Sequence, residues 1–255
     1  MADTEPQFRI NHISVNTNSE MTRRAELRTN FLVPIYLMWS SDVPQAEAQA
    51  ATQGVYDAVR ASGQNREVVN LGSRQWSNGD FSSADWYLGK ASEMEREVRD
   101  MGHGRQINVS NLIEQFYEEP WQEKPHWEVS IVNKDLYMYD TNFVFGATRS
   151  DFAASVQSIR RLVDSVPEGE LRNQMIRRLL RHEVGHMFGL PGRNFNVEQK
   201  LGSHCTNVCT MRQGMSIPEW GKLTQEENRQ NVHFCRDCMS VLAQKKNQFR
   251  PLPQK

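Results

Sequence analysis

His182 and His186 stand four residues apart in the run His182-Glu183-Val184-Gly185-His186, and no other feature restricts the local fold as much. At about 100° per residue an α-helix brings both imidazoles to one face and sets the Glu183 carboxylate beside them. Two imidazoles presented this way are ligands for a zinc ion, and a carboxylate next to the metal's open position can take a proton from water. The trio implies zinc-dependent hydrolysis, with His182 and His186 as ligands and Glu183 as general base.

The flanking residues agree with a helix. Pro167, Glu168 and Glu170 mark its start, and Met175, Ile176, Leu179, Leu180, Val184 and Met187 form a wide apolar arc that must be buried. Arg172, Arg177, Arg178 and Arg181 occupy the remaining side and read as a solvated face. Gly189 is placed to end the helix in a left-handed turn that sends the chain back under the metal.

The chain has 255 residues, enough for one good-sized domain or two small ones. Its formal net charge of -1 gives no electrostatic reason to expect a nucleic-acid partner. Residues 1–29 are polar and lack the apolar segment of a signal peptide, and the longest apolar run, residues 31–39, is too short to span a bilayer. A cytoplasmic protein without a membrane partner is expected. Cys205 and Cys209 form one close pair, and Cys235 and Cys238 a second. That spacing suits a four-thiolate structural zinc site better than a disulfide framework, which a cytoplasmic chain would not maintain; two disulfides or free thiols are the alternatives.

Upstream, residues 31–38 are apolar on both alternating faces, as in an interior strand, with Pro34 marking an unpaired or bulged edge. Asp42 is placed to cap a helix with Pro44 in its first turn, Ala51, Val55 and Val59 on its inner face and Gly63 beyond its end. Residues 66–71 read as a second strand, so a right-handed crossover and a parallel pair follow. Residues 72–83 read as a loop. Ser92 and Glu95 suggest a capping box for a helix running to about Met101, and Ser110 caps another that ends before Pro120. Strands are expected at 127–132, 135–137, 142–148 and 153–162, and a polar tail at 244–255.

A catalytic zinc needs a third protein ligand. The candidates downstream are His204, His233 and the oxygen donors Asn194, Asn196 and Glu198. His12, His103 and His126 lack partners at ligand spacing and read as surface or core histidines.

The order of residues after the helix is distinctive: His204-Cys205, then Cys209-Thr210-Met211, then Phe234-Cys235-Arg236-Asp237-Cys238. It resembles the archaemetzincin family, whose pattern runs from the zinc helix to a His-Cys pair, a second Cys, a Met-turn methionine and a final Cys-x-x-Cys. Asp135-Leu136-Tyr137 and Asn142-Phe143-Val144-Phe145-Gly146 resemble the segment that leads, in that family, into the edge strand over the active-site cleft. The resemblance spans about residues 31–242 and is strongest from Asp135 onward.

What the resemblance implies is an α/β (α+β) fold, a compact metzincin-like metalloprotease with a twisted mixed sheet, a backing helix, the active-site helix and a zinc-stabilised carboxy-terminal part. Residues 30–243 would form the catalytic domain, with 30–190 carrying the sheet and active-site helix and 191–243 the zinc-stabilised subdomain. His182, His186 and His204 would hold a catalytic zinc, Cys205, Cys209, Cys235 and Cys238 a structural zinc, and Met211 the Met-turn, a role for which Met215 competes. Residues 142–146 would form the edge strand for substrate. The sequence departs from the family at Gly192, where a metzincin has its third histidine. Residues 192–203 look inserted before the His-Cys pair, the first Cys pair is one residue closer than usual, and the stretch from Met211 to Cys235 is longer. The expected function is a monomeric zinc metallopeptidase acting on peptides or proteins. A zinc-stabilised binding or regulatory module with an inactive or occluded site is the alternative, and hydrolysis of a non-peptide amide a third reading.

Overall fold

The computed structural model describes residue 28 and residues 30–73, 83–117, 126–149, 153–192, 196–199 and 201–252. Ile35 and Leu37 on strand β1 (Ile35–Trp39) enter one hydrophobic cluster while Met38 enters another, the period-2 pattern of a strand covered on both faces. Strand β4 (Trp127–Val132) repeats this, with Val129 and Ile131 on one side and Val132 on the other. The main sheet has the order β2-β1-β4-β7-β6, where β2 is Val68–Gly72, β6 is Gly146–Arg149 and β7 is Ala154–Ser158. β2, β1, β4 and β7 run parallel, and β6 closes one edge antiparallel to β7. The sheet is therefore mixed.

Helix α1 (Gln45–Ser62) links β1 to β2 and ends at Gly63, whose φ of 63° supplies the expected left-handed cap. Helices α2 (Ala84–Glu93) and α3 (Val109–Tyr117) cover the opposite face, with strand β3 (Ile107–Asn108) before α3 pairing parallel to β5 (Leu136–Tyr137). After β7 come α4 (Arg160–Ser165) and the histidine-bearing helix α5 (Glu170–Met187), which packs along α1. The two backbones touch at Gly54, where a β-carbon would lie 2.3 Å from the Arg177 carbonyl oxygen. A small hairpin, β8 (Val197–Gln199) with β9 (Ser203–Cys205), precedes α6 (Ile217–Gln230) and α7 (Arg236–Lys246). Cys205, Cys209, Trp220, Phe234 and Leu242 join the same cluster as the sheet residues, so the carboxy-terminal part shares the main core.

Several expected boundaries move. Pro34 lies just before β1, and its carbonyl accepts from Trp127 N at 2.8 Å. The helix expected from Ser92 to about Met101 does not form; Ser92 and Glu93 instead end α2, and Glu95 bonds elsewhere, its carboxylate accepting from Asn108 N and from the Tyr137 hydroxyl, each at 2.7 Å. The strand expected at 153–162 stops at Ser158, where the Ser158 side chain accepts from Arg160 N and α4 begins. The strand expected at 142–148 starts only at Gly146. Nor are 244–255 a tail throughout, since α7 continues to Lys246, Phe249 packs on Trp127, and Arg250 exchanges backbone bonds with Asn30 and Leu32. Residues 1–27 and 29, most of the loop at 72–83, and Asn194 lie outside the described residues. No helix among the described residues is long and apolar enough to cross a membrane.

Candidate metal centres

Helix α5 brings His182 and His186 together on one face, and β9 returns His204 to meet them. His186 Nε2 lies 3.2 Å from His182 Nε2 and 3.3 Å from His204 Nε2. Three nitrogens at about 2.05 Å from a tetrahedral zinc would stand about 3.3 Å apart, so the spacing fits that ion. The outer nitrogens are fixed too. His182 Nδ1 lies 2.8 Å from the Thr210 carbonyl and His186 Nδ1 lies 2.9 Å from the Leu190 carbonyl. A carbonyl only accepts, so each Nδ1 carries the proton and each Nε2 keeps its lone pair for a metal. Burial, reinforced by the neighbouring imidazoles, holds His182 well below the usual histidine range, and burial with His204 pulls His186 down to about 4. Both are neutral at pH 7, as ligands must be.

Glu183, one position on from His182, lines the same cavity as the three histidines. Burial raises its carboxyl to about 7, against a hydrogen bond from Thr148 at 2.8 Å that favours the ionised form. Beneath the histidines Gly185 leaves room for Met211: a β-carbon at Gly185 would stand 2.5 Å from the Met211 sulfur. Met211 is fully buried and Met215 is 38% exposed, which favours Met211 as the residue under the site.

The four cysteine sulfurs form a second cluster. Cys205 Sγ is 3.7 Å from Cys235 Sγ, and Cys209 Sγ is 3.6 Å from Cys238 Sγ. Tetrahedral zinc with Zn–S bonds of about 2.3 Å sets sulfurs about 3.8 Å apart, and four such groups within 4.8 Å match that set. Sharing of protons among these sulfurs holds Cys205 and Cys235 low and pushes Cys209 and Cys238 up. Four thiolates this close are unfavourable without a cation between them.

The remaining candidates go elsewhere. His233 Nδ1 lies 3.4 Å from Glu227, away from the three histidines. Glu198 stands opposite His204 in the β8–β9 register but outside the clustered donors. Asn196 reaches Asp237 and, through its carbonyl, Thr206, so it ties the hairpin down. His103 pairs with Asp164 and His126 with Glu128; His12 is outside the described residues. The inserted residues 192–203 thus include β8 and lead into β9, with Leu201 and Gly202 at positive φ between the strands.

The arginines of α5 depart most from expectation. Arg178 and Arg181 are 0% and 2% exposed, and Arg172 is also buried, so this side of the helix is interior. Arg178 and Arg181 both bond Glu227 on α6, Arg181 and Arg177 bond Asp57 on α1, and Arg172 bonds Glu47. Thr210 completes the network: its hydroxyl donates to Glu227 at 2.6 Å while its carbonyl holds His182. A sequence signal existed in Asp57, an acid set among the apolar inner positions Val55, Ala58 and Val59 of α1. Thr148, Thr210 and Trp220, which packs edge-on against His182, had no such signal.

The histidine cluster borders a cleft of about 1000 Å³ lined by Glu183, the three histidines, residues 142–149 and the hairpin residues 201–203. Comparison with known proteins agrees with this architecture. Residues 127–244 match the model of Peptidase family M54. The archaemetzincin of Archaeoglobus fulgidus is 32% identical over 114 residues, 45% of this chain and 58% of that protein. That of Methanopyrus kandleri is 32% identical over 115 residues, 45% of this chain and 54% of that protein. The sequence alignments therefore span little more than half of those relatives. In structure, the crystal structure of the Methanopyrus kandleri archaemetzincin matches with a TM-score of 0.55 at 19% identity, covering 84% of this chain and 96% of that one. The malonate complex of the Archaeoglobus fulgidus protein matches with a TM-score of 0.51 at 23% identity, covering 82% and 99%. Over residues 127–244 the chain is thus similar to Peptidase family M54, and it resembles the archaemetzincins in sequence there and in fold.

Proposed function

We propose that this protein is a zinc-dependent metallopeptidase, with a catalytic zinc held by His182, His186 and His204 and a structural zinc held by Cys205, Cys209, Cys235 and Cys238. The observation that carries the reading is the meeting of three Nε2 atoms at zinc-ligand spacing with the Glu183 carboxyl in an open cleft. Bound zinc supplies Lewis acidity, lowering the pKa of a water and polarising a carbonyl. Glu183 Oε2 is held by Thr148, which leaves Oε1 to take the proton of the attacking water and return it to the leaving amine. Strand β6 pairs with β7 alone among the described strands, so an extended peptide can add to its other edge through main-chain bonds. Residues 142–145 precede that strand and line the cleft wall, so the substrate edge in this reading is Gly146–Arg149. The hairpin lines the cleft without filling it, which favours an enzyme over an occluded binding module. The thiolate site suits a reducing, cytoplasmic setting.

The test is cleavage of a peptide library by zinc-loaded protein, with and without chelator, beside Glu183→Gln. The parent should cleave in a metal-dependent way, and Glu183→Gln should keep its zinc while losing about 100-fold or more in rate. Metal retention with no cleavage by the parent would point to the binding-module reading, and a fully active Glu183→Gln would remove Glu183 as base.

A further inference from the structure

Two stretches of the chain pass straight from one ligand cluster to the other. In β9 His204 and Cys205 are consecutive, and successive side chains of a strand point to opposite faces. His204 therefore meets the histidines, its Nε2 3.3 Å from His186 Nε2, while Cys205 Sγ lies 3.7 Å from Cys235 Sγ. Farther on, Cys209, Thr210 and Met211 are consecutive. Cys209 Sγ lies 3.6 Å from Cys238 Sγ, the Thr210 carbonyl accepts from His182 Nδ1 at 2.8 Å, and Met211 fills the space left by Gly185. Cys205 N donates to the Met211 carbonyl at 2.9 Å, which closes residues 205–211 into a loop. Residues 206–211 belong to no helix or strand, so their shape depends on such cross-links.

His186 is linked to the sulfurs by another route. Its Nδ1 is held by the Leu190 carbonyl, and the glycines around that residue lie against α7. Gly189 packs beside the Lys245 side chain, and a β-carbon at Gly192 would stand 3.0 Å from Val241. The same helix carries Cys238 and has Cys235 as its N-cap, so it joins the sulfur cluster to the turn that orients His186. Hydrogen bonds add to the tie: Cys235 N donates to Cys209 Sγ at 3.3 Å, and Asn207 Nδ2 donates to Asp237 at 3.0 Å. Each of the three histidines thus relies on a backbone segment that the cysteines tie down.

We infer that Cys205, Cys209, Cys235 and Cys238 are positioning residues for the histidine set. Drawn onto one ion, they fix residues 204–211 and α7 in the arrangement that brings the three Nε2 atoms together, so the two sets bind metal cooperatively. This coupling rests on the two-zinc reading above. Once the segment is ordered at the sulfurs, its ordering no longer opposes binding at the imidazoles. Linkage requires the reverse effect to be equally large.

The experiment titrates the full-length metal-free protein with zinc against a chromophoric chelator, and repeats the titration with cobalt, whose thiolate-bound form absorbs through sulfur-to-metal charge transfer. Cys235→Ser with Cys238→Ser should weaken zinc at the histidine set about 10- to 100-fold. Cys235→His alone, which restores a fourth ligand at a half-buried position, should keep that affinity within about threefold of the parent. In the reverse direction, His186→Ala keeps every sulfur and should weaken cobalt at the cysteine set by the same factor. Leu112→Ala opens a cavity in the core on the far face of the sheet; it should lower the melting temperature and leave both affinities parental. Parental zinc affinity at the histidines of the serine variant, an equal loss in Leu112→Ala, or parental cobalt binding in His186→Ala would overturn the coupling. The last of these decides the matter if the serine variant does not fold. A parent that takes up a single zinc would end the two-zinc reading and the coupling together. Two ions without peptide cleavage would end the peptidase reading alone, with the coupling still decided by the affinities.

Discussion

Thr210 joins Glu227 to the histidine site, donating its hydroxyl to Glu227 at 2.6 Å while its own carbonyl accepts from His182 Nδ1 at 2.8 Å. The orientation of a candidate metal ligand is thereby tied to a buried ion network on three helices, in which Arg178 and Arg181 of α5 meet Glu227 of α6 and Asp57 of α1.

Glu227→Gln should destabilise the protein by about 3 kcal/mol at pH 7, because it leaves two buried guanidiniums short of their counter-charge. Chelator should also strip the histidine-held metal about tenfold more readily, as when the partner of a ligand histidine is disturbed. Thermal melting and competition with a chromophoric chelator measure these effects. A variant as stable as the parent would show that the network adds nothing net.

The same network gives a pH dependence with a definite sign. Burial raises the carboxyls of Asp57 and Glu227, but bonds and charges from Arg177 and Gln53 at Asp57, and from His233, Arg181 and Arg178 at Glu227, outweigh it and leave both below their ordinary values. A depressed folded pKa means that the unfolded chain binds more protons, so this stability is complete above about pH 4 and disappears as pH falls through the folded values. Melting curves from pH 7 to pH 3 should therefore fall less steeply for Glu227→Gln than for the parent. Parallel slopes would contradict the linkage.

Metal content separates the two centres. The parent should hold about two zinc ions per chain, His204→Ala about one, and Cys235→Ser with Cys238→Ser about one with a strongly destabilised carboxy-terminal part. His233→Ala should keep two, since His233 faces Glu227 and not the three Nε2 atoms. Full occupancy in His204→Ala would remove it from the ligand set.

The two clusters of candidate ligands were the most legible part of the sequence, for a physical reason. Ligand chemistry restricts residue type and helix geometry restricts spacing, so His182, Glu183 and His186 announce themselves, and the paired cysteines do likewise. His204 needed the family resemblance, because the inserted residues break the usual spacing; in space β9 delivers it regardless of what precedes it. The parallel β1–β2 pair and the Gly63 cap followed from local rules. What local rules missed depends on partners far along the chain. Arg178 and Arg181 read as surface because their acids, Asp57 and Glu227, lie on other helices. Glu95 looked like a helix cap until Asn108 and Tyr137 claimed it.

Gly185 and Met211 make a packing test of the floor beneath the histidines. A methyl group at Gly185 would meet the Met211 sulfur at 2.5 Å, with Phe234 also close. Gly185→Ala should cost about 1–3 kcal/mol through overpacking. In a double-mutant cycle Met211→Ala should relieve much of that cost, giving a coupling above about 0.5 kcal/mol. Additive effects would place the methionine's importance elsewhere.

Selectivity should follow the apolar rim of the cleft. Met138, Tyr139, Leu201 and Met215 are each at least 38% exposed, and all four line this one cavity. Exposed apolar side chains gathered around a concave site mark where an apolar ligand group is received. Peptides with large apolar side chains flanking the cleaved bond should therefore be the better substrates. Leu201 is the most informative of the four, because the hairpin that carries it is anchored through β9 at His204 and Cys205. Its φ of 51° suits asparagine better than leucine, so Leu201→Asn removes the apolar contact without straining the turn. That variant should lose about tenfold in kcat/KM on apolar peptides and little on polar ones, with zinc content unchanged. Equal losses on both classes would mean that the hairpin supports the site without reading the substrate.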